Sequence, residues 1–186
     1  MRILGGEFKG RQILAGKDLS IRPTTNRIKN TIFNLLDNFC YDIDVLDMFC
    51  GTGSLGIEAL SRGAREVTFI DKFESSLKIL KNNITRLNID PAKFTIVKED
   101  AIEFCKHIRR SYKLIILDPP FRYRMLQNLI DLIIKRCILS PAGILLIHHE
   151  ITNQVQPKHE KYDIIKQKKI GRSIISFIIN EEKNVT

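Results

Sequence analysis

Between Val45 and Gly56 the chain reads Val-Leu-Asp-Met-Phe-Cys-Gly-Thr-Gly-Ser-Leu-Gly, an apolar strand running straight into a G-x-G-x-x-G turn. No other segment of the sequence constrains the fold as tightly. A strand that enters such a turn and continues as a helix, here through Ile57, Glu58, Ala59 and Leu60, opens a parallel βαβ unit. The glycines allow a sharp turn and close approach of a ligand, and the helix start offers unpaired N–H groups. The same alternation then recurs. Residues 67–70, 94–98, 114–117 and 144–147 read as further short buried strands. Residues 73–87 read as a helix with Leu77, Leu80, Ile84 and Leu87 on one face. Residues 125–137 form another, carrying Leu126, Leu129, Ile130, Ile133 and Ile134. An α/β fold follows, a doubly wound and mostly parallel sheet closed by an antiparallel hairpin of residues 162–167 and 173–179.

Each of the first four strand ends carries a carboxylate. Asp71 follows Gly51 by 20 residues, the spacing of an acidic residue that grips ribose hydroxyls, so a nucleoside-bearing cofactor is expected. Asp47 faces the same loop and would repel a pyrophosphate, which argues against a nicotinamide dinucleotide. A sulfonium and an ammonium would both favour a negative charge there, and S-adenosyl-L-methionine has both. Asp100, closing the strand at 94–98, is placed to accept from an adenine amino group, with the Ala101 N–H beside it for the ring.

The fourth strand end is Asp118-Pro119-Pro120-Phe121. Prolines cannot donate to a strand ladder, so the pair ends the strand in a stiff extended elbow. It presents a carboxylate, a proline carbonyl and an aromatic ring at the edge where open α/β sheets bind ligands. Two acceptors and a stacking face suit a flat base bearing an exocyclic amine.

The net charge of +9 points to an anionic partner, and residues 1–30 hold +5 of it. Residues 2–4 and 11–14 flank Gly5-Gly6 and Gly10 and read as a small hairpin. Thr24 or Thr25 caps a helix running to Phe39, with Ile28, Ile32, Leu35, Leu36 and Phe39 on one face and Arg27, Asn30 and Asn34 on the other. A basic hairpin and helix beside the elbow would grip phosphates and position the base.

Taken in order, the loop from Asp47 to Gly56, Asp71, Asp100 and the 118–121 elbow resemble the motifs of class I S-adenosylmethionine-dependent methyltransferases acting on exocyclic amines. Met1-Arg2-Ile3-Leu4-Gly5-Gly6, Lys9-Gly10-Arg11, the run Arg22-Pro23-Thr24-Thr25-Asn26-Arg27 and Phe33-Asn34-Leu35-Leu36 are similar to the RsmD family of bacterial 16S rRNA guanine-N2 methyltransferases. Asn26, Asn30 and the pair His148-His149 stand where that family usually has acidic residues. The resemblance implies a seven-stranded Rossmann-like methyltransferase sheet and methylation of a guanine N2 in 16S rRNA, within the small ribosomal subunit or an assembly intermediate. By the same resemblance Asp118, Pro119, Pro120 and Phe121 are catalytic. Asp47, Phe49, Gly51, Thr52, Gly53, Asp71, Lys72, Asp100, Ala101 and Asp118 hold the cofactor. Arg2, Lys9, Arg11, Arg22, Thr24, Arg27, Arg122 and Arg124 contact RNA. The elbow itself accepts either amine, so adenine-N6 methylation of DNA or RNA is the alternative, and a non-catalytic RNA-binding or ribosome assembly protein is another.

Cys40, Cys50, Cys105 and Cys137 form no C-x-x-C pair, and His107, His148, His149 and His159 lack metal-ligand spacing. No metal site or disulfide is expected. No apolar run approaches membrane-spanning length and no signal peptide is legible, so a cytoplasmic monomer is expected. The expected division is an RNA-binding extension over 1–40, a methyltransferase domain over 41–180 and a frayed tail over 181–186.

Overall fold

The computed structural model describes residues 1–16, 25–121, 123–153 and 155–181. One sheet contains β1 (Asp44–Met48), β2 (Glu66–Asp71), β3 (Phe94–Lys98), β4 (Tyr112–Leu117), β5 (Leu139–Glu150), β6 (Tyr162–Ile170) and β7 (Ser173–Asn180). Their order is β3-β2-β1-β4-β5-β7-β6. The first five pair with one another in parallel, and β7 runs antiparallel between β5 and β6. This is the doubly wound sheet with a closing hairpin that the alternation predicts.

Helices α1 (Asn26–Leu36), α2 (Ser54–Ser61), α3 (Glu74–Leu87), α4 (Ala101–His107) and α5 (Leu126–Lys135) cover the sheet on both faces. One apolar cluster joins Phe33 of α1, Leu55 of α2 and Leu80 of α3 to Val45 and Val67 of the sheet. The other joins Phe104 of α4 and Leu129 and Ile133 of α5 to Leu46 and Ile115. Strands covered on both faces lose the polar alternation of a half-exposed strand, which is why β1, β2 and β4 read as continuous apolar runs.

Thr25, one of the two expected caps, caps α1, its Oγ1 accepting from Ile28 N at 3.3 Å. Several boundaries differ from expectation, each for a local reason. Helix α1 stops at Leu36 rather than Phe39 because Asp37 adopts a left-handed φ of 49°, and a short 3₁₀ turn, Asp37–Cys40, follows. Strand β5 runs to Glu150, so His148 and His149 lie within it rather than after it. Strand β6 absorbs Lys168, Lys169 and Ile170, leaving a turn at Gly171, whose φ of 58° suits glycine.

The expected N-terminal hairpin is reduced to one antiparallel bridge, Arg2 to Gln12, with Gly10 N donating to Ile3 O at 2.9 Å. Its apolar residues Ile3 and Ile13 join the cluster of α1, α2 and α3. Glu58 of α2, fully buried, fastens it. One carboxylate oxygen accepts from Gly5 N (2.8 Å) and Arg62 Nε (3.0 Å), and the other from Leu4 N (2.9 Å) and pairs with Lys29 Nζ (3.1 Å). Lys29, counted above in the basic N-terminal excess, is therefore an internal ion-pair partner. Burial pulls its ammonium below the usual lysine range, and Glu58 pushes it back up.

Candidate active site at the carboxyl edge of the sheet

The strand ends β1 to β4 and their following turns bring the four predicted acidic positions to one edge. Asp47 lies on β1 one residue before its end, only 1% exposed, and its Oδ2 accepts from Gly56 N at 2.9 Å. Gly56 sits inside α2, where a Cβ would meet Phe69 Cε1 at 2.3 Å and that same Asp47 oxygen at 2.8 Å. The third glycine of the motif thus lets α2 press against β1 and β2. Gly53 serves the turn itself, with φ 84° and no room for a Cβ against Leu80 Cδ1 at 2.3 Å. Phe49 is held left-handed at φ 61°, and its ring meets Tyr123 edge-on with centroids 4.9 Å apart.

Asp71 ends β2 and organises two turns at once. Its Oδ2 accepts from Gly51 N at 2.8 Å and its Oδ1 from Phe73 N at 2.9 Å. Each carboxylate oxygen has two lone pairs, so these bonds leave acceptor capacity for ribose hydroxyls. Thr52 sits in the same glycine turn, its carbonyl accepting from Asn83 Nδ2 at 3.0 Å. Lys72 is exposed beside Asp71, its ammonium 5.3 Å from the Phe73 ring. Asp100 caps α4, its Oδ1 accepting from Ile102 N at 2.9 Å, with Ala101 the first residue of the helix. Burial first, then the charges of Asp100 and Cys105, push the Tyr123 hydroxyl up to about 12.

The elbow leaves β4 as expected. Pro119 is buried and Pro120 exposed, with Asp118 and Phe121 between these extremes. Tyr123 N donates to Pro120 O at 2.8 Å and folds the chain back toward α5. Beside the elbow stands a residue that the sequence reading left without a role. His148 Nδ1 lies 2.7 Å from Asp118 Oδ1, and its ring meets Phe121 edge-on at 5.7 Å. The parallel register explains the meeting: Leu117 pairs with Ile147, so the next residues, Asp118 and His148, stand side by side. His149 is different, with Nδ1 3.0 Å from Glu150 O and Nε2 2.8 Å from Ser176 Oγ.

Burial first, then the nearby charges of Asp118 and Asp71, raise the Asp47 carboxyl to about 8. Three carboxyls from three strand ends therefore share one electrostatic neighbourhood. The folded value lies above the unfolded one, near 4. The resulting stability is fully present below about pH 4 and is lost as pH rises through about 8. The ligand-free protein should lose melting temperature across that window, and Asp47→Asn should flatten the slope. Melting curves at several pH values check this; equal slopes in both proteins would contradict it.

The predicted RNA contacts do not all gather at this edge. Arg2, Lys9, Arg27 and Arg124 are exposed. Arg22, Thr24 and Arg122 lie outside the described residues. Arg11 donates to Leu87 O at 3.1 Å and Arg86 O at 2.7 Å, at the end of α3. The glycine turn of the arm bonds to Ser61 at the end of α2, through Glu7 N at 2.7 Å and Phe8 N at 2.9 Å. Helices that follow parallel strands run back toward the opposite edge. The tip of the arm is therefore not beside the elbow, although Leu14 and Thr52 both bond to Asn83 of α3, which brings the end of the arm back to the glycine turn. The β6–β7 turn does return a cation to this edge, with Arg172 Nη2 4.0 Å from Glu150.

Among the described residues, no group of three or more histidine, cysteine, aspartate or glutamate side chains could hold a metal ion. No helix among them is long and apolar enough to cross a membrane.

The model of the family described as Conserved hypothetical protein 95 matches residues 1–179. Ribosomal RNA small subunit methyltransferase D of Haemophilus influenzae is 30% identical over 179 residues, covering 95% of this chain and 91% of its own. The protein of the same name from Escherichia coli is 30% identical over 172 residues, covering 92% and 86%. The solved structure of yhhF from Escherichia coli superposes with a TM-score of 0.87 at 28% identity, over 97% of this chain and 98% of that one. Matched along nearly its whole length, the chain belongs to the RsmD family of class I S-adenosylmethionine-dependent methyltransferases.

Proposed function

We propose that the protein transfers a methyl group from S-adenosyl-L-methionine to the exocyclic N2 of a guanine in small-subunit ribosomal RNA. One observation carries the reading. The Asp118-Pro119-Pro120-Phe121 elbow leaves β4 at the edge where Asp47 and Asp71 gather, near enough for the Asp118 charge to act on Asp47. Relatives named ribosomal RNA small subunit methyltransferase D supply the substrate class.

The residues present fit the cofactor. Asp71 keeps lone pairs for ribose hydroxyls beyond its bonds to Gly51 and Phe73. Asp47 and its acidic neighbours suit a cationic ligand end, and a positive charge nearby would favour the ionised form of Asp47. Phe49, Gly51, Thr52 and Gly53 shape the turn over the ligand, Lys72 flanks the ribose, and Asp100 with the Ala101 N–H addresses the adenine edge. When bound, S-adenosyl-L-methionine supplies an electrophilic methyl group on a sulfonium.

An exocyclic amine is a poor nucleophile because its lone pair is delocalised into the ring. Asp118 and the Pro119 carbonyl accept its two N–H bonds, draw the nitrogen toward tetrahedral geometry and stabilise its growing positive charge. Pro120 stiffens the elbow, and Phe121 stacks on the flipped base. Alignment of the amine with the methyl supplies much of the acceleration. The N–C bond would form as the methyl's bond to sulfur breaks, S-adenosyl-L-homocysteine would leave, and the proton would then pass from the alkylated nitrogen to water. Arg2, Lys9, Arg22, Thr24, Arg27, Arg122 and Arg124 contact the RNA backbone or ribose, and Arg11 joins them from the far edge. Small-subunit rRNA, free or within an assembly particle, is the partner.

Asp71→Ala should weaken cofactor binding by about 1.5–3 kcal/mol, the value of hydrogen bonds to a charged acceptor, or roughly ten- to hundredfold in Kd. Calorimetry giving an unchanged Kd would remove Asp71 from the site. The reading as a whole is tested by offering labelled S-adenosyl-L-methionine with small subunits, naked small-subunit rRNA or DNA. Label should enter the rRNA and not the DNA. Label in DNA alone, or in nothing, would overturn it.

A further inference from the structure

We infer that His148 is a positioning residue for methyl transfer, holding Asp118 so that its carboxylate is aimed at the substrate amine. This rests on the function proposed above and adds a residue to it. A carboxylate can only accept, so the proton between His148 Nδ1 and Asp118 Oδ1, 2.7 Å apart, belongs to the imidazole. Both side chains are largely enclosed, at 5% and 18% exposure, so the bond is shielded from competing water. With Oδ1 held from the side by His148, rotation of the Asp118 carboxylate about its side-chain bonds is restricted and it keeps one face toward the pocket.

Two further features separate this from simple packing. His148 Nε2 is buried and has no hydrogen-bond partner among the described residues. An unpaired buried nitrogen is unfavourable, and an apolar side chain in the same place would avoid it. His149, one residue on, has a partner for each ring nitrogen, as a structural histidine should. The second feature is the contact with Phe121 at 5.7 Å. One imidazole thus touches both the hydrogen-bonding wall and the stacking wall of the proposed base pocket. The tautomer this requires, with the proton on Nδ1, puts the unpaired atom where it takes no part in the arrangement.

That asymmetry gives the test. His148→Asn keeps an N–H close to the position of Nδ1, whereas His148→Gln extends its amide toward the position of Nε2, and His148→Leu has neither. The expected result is a fall in kcat of about 10- to 100-fold for the Gln and Leu variants, the scale of a small misplacement of a reacting group. KM for rRNA and the Kd for S-adenosyl-L-methionine should change little. The Asn variant should recover most of the lost kcat. Wild-type kcat in the Gln and Leu variants, or an Asn variant as impaired as they are, would overturn the inference. Melting curves identify a variant that fails to fold, in which case the comparison of Asn with Gln decides. Asp118→Ala measured alongside separates the two levels. Near-normal turnover in that variant would sink the amine mechanism itself, whereas a large loss of kcat there together with a fully active His148→Gln would sink only the role of His148.

Discussion

Asp118→Ala should lower kcat by about 10²–10³-fold or more while leaving the Kd for S-adenosyl-L-methionine within a few-fold of wild type. The magnitude is that of removing one preorganised group that stabilises developing charge in a transition state. The split between kcat and Kd follows from the position of Asp118. It stands on the elbow after β4, whereas Asp71, the carboxylate proposed to hold the ribose, is on β2 and is fixed by Gly51 and Phe73. Loss of the Asp118 charge also removes one of the groups that raise Asp47, so the Asp47 carboxyl should titrate lower in the variant. Single-turnover kinetics with calorimetry of cofactor binding measure both halves. A variant with near-normal turnover would remove the amine-accepting role.

The second large effect concerns the fold. Glu58→Ala should destabilise the protein by about 3–5 kcal/mol, because it leaves Lys29 as an uncompensated buried cation. For a chain of this size that is a fall in melting temperature of roughly 10 °C. The same change strips the Leu4 and Gly5 N–H groups of their acceptor and loosens the arm from α2. Denaturant unfolding would read the loss. A variant within 1 kcal/mol of wild type would show that the Glu58 bonds add little to holding the arm.

How far the sequence reveals these arrangements depends on range. The glycine turn, the acidic strand ends and the elbow are local patterns, because a turn's backbone demands are met by the residues within it. Asp47, Asp71, Asp100 and Asp118 could be placed at one edge since parallel strands present their carboxyl ends together. Lys29 looked like one more solvated cation; its partner is 29 residues away, and nothing short of the fold pairs them. Arg11 likewise reads as a phosphate ligand, yet its donors meet carbonyls at the end of α3.

His148 was legible in principle. Residues 114–117 and 144–147 are matched apolar runs ended by Asp118 and His148. Placing the two runs as adjacent strands in that register would have set the pair side by side, and the observed pairing of Leu117 with Ile147 is that register. What hid it was the longer reach of β5, which starts at Leu139 and passes an irregular Ala142 at φ 51° before the apolar run. The short helix α4 was similarly obscured, since its seven residues give little periodic pattern and its cap, Asp100, was already assigned to the cofactor.

If this elbow methylates an exocyclic amine of guanine, the product nucleoside reveals it. Small-subunit rRNA lacking the modification should be incubated with the protein and methyl-labelled S-adenosyl-L-methionine, then digested to nucleosides and separated. The label is expected to elute as N2-methylguanosine. Label in N6-methyladenosine would keep the amine chemistry and contradict the base, and label on a ring atom or a ribose hydroxyl would contradict the mechanism.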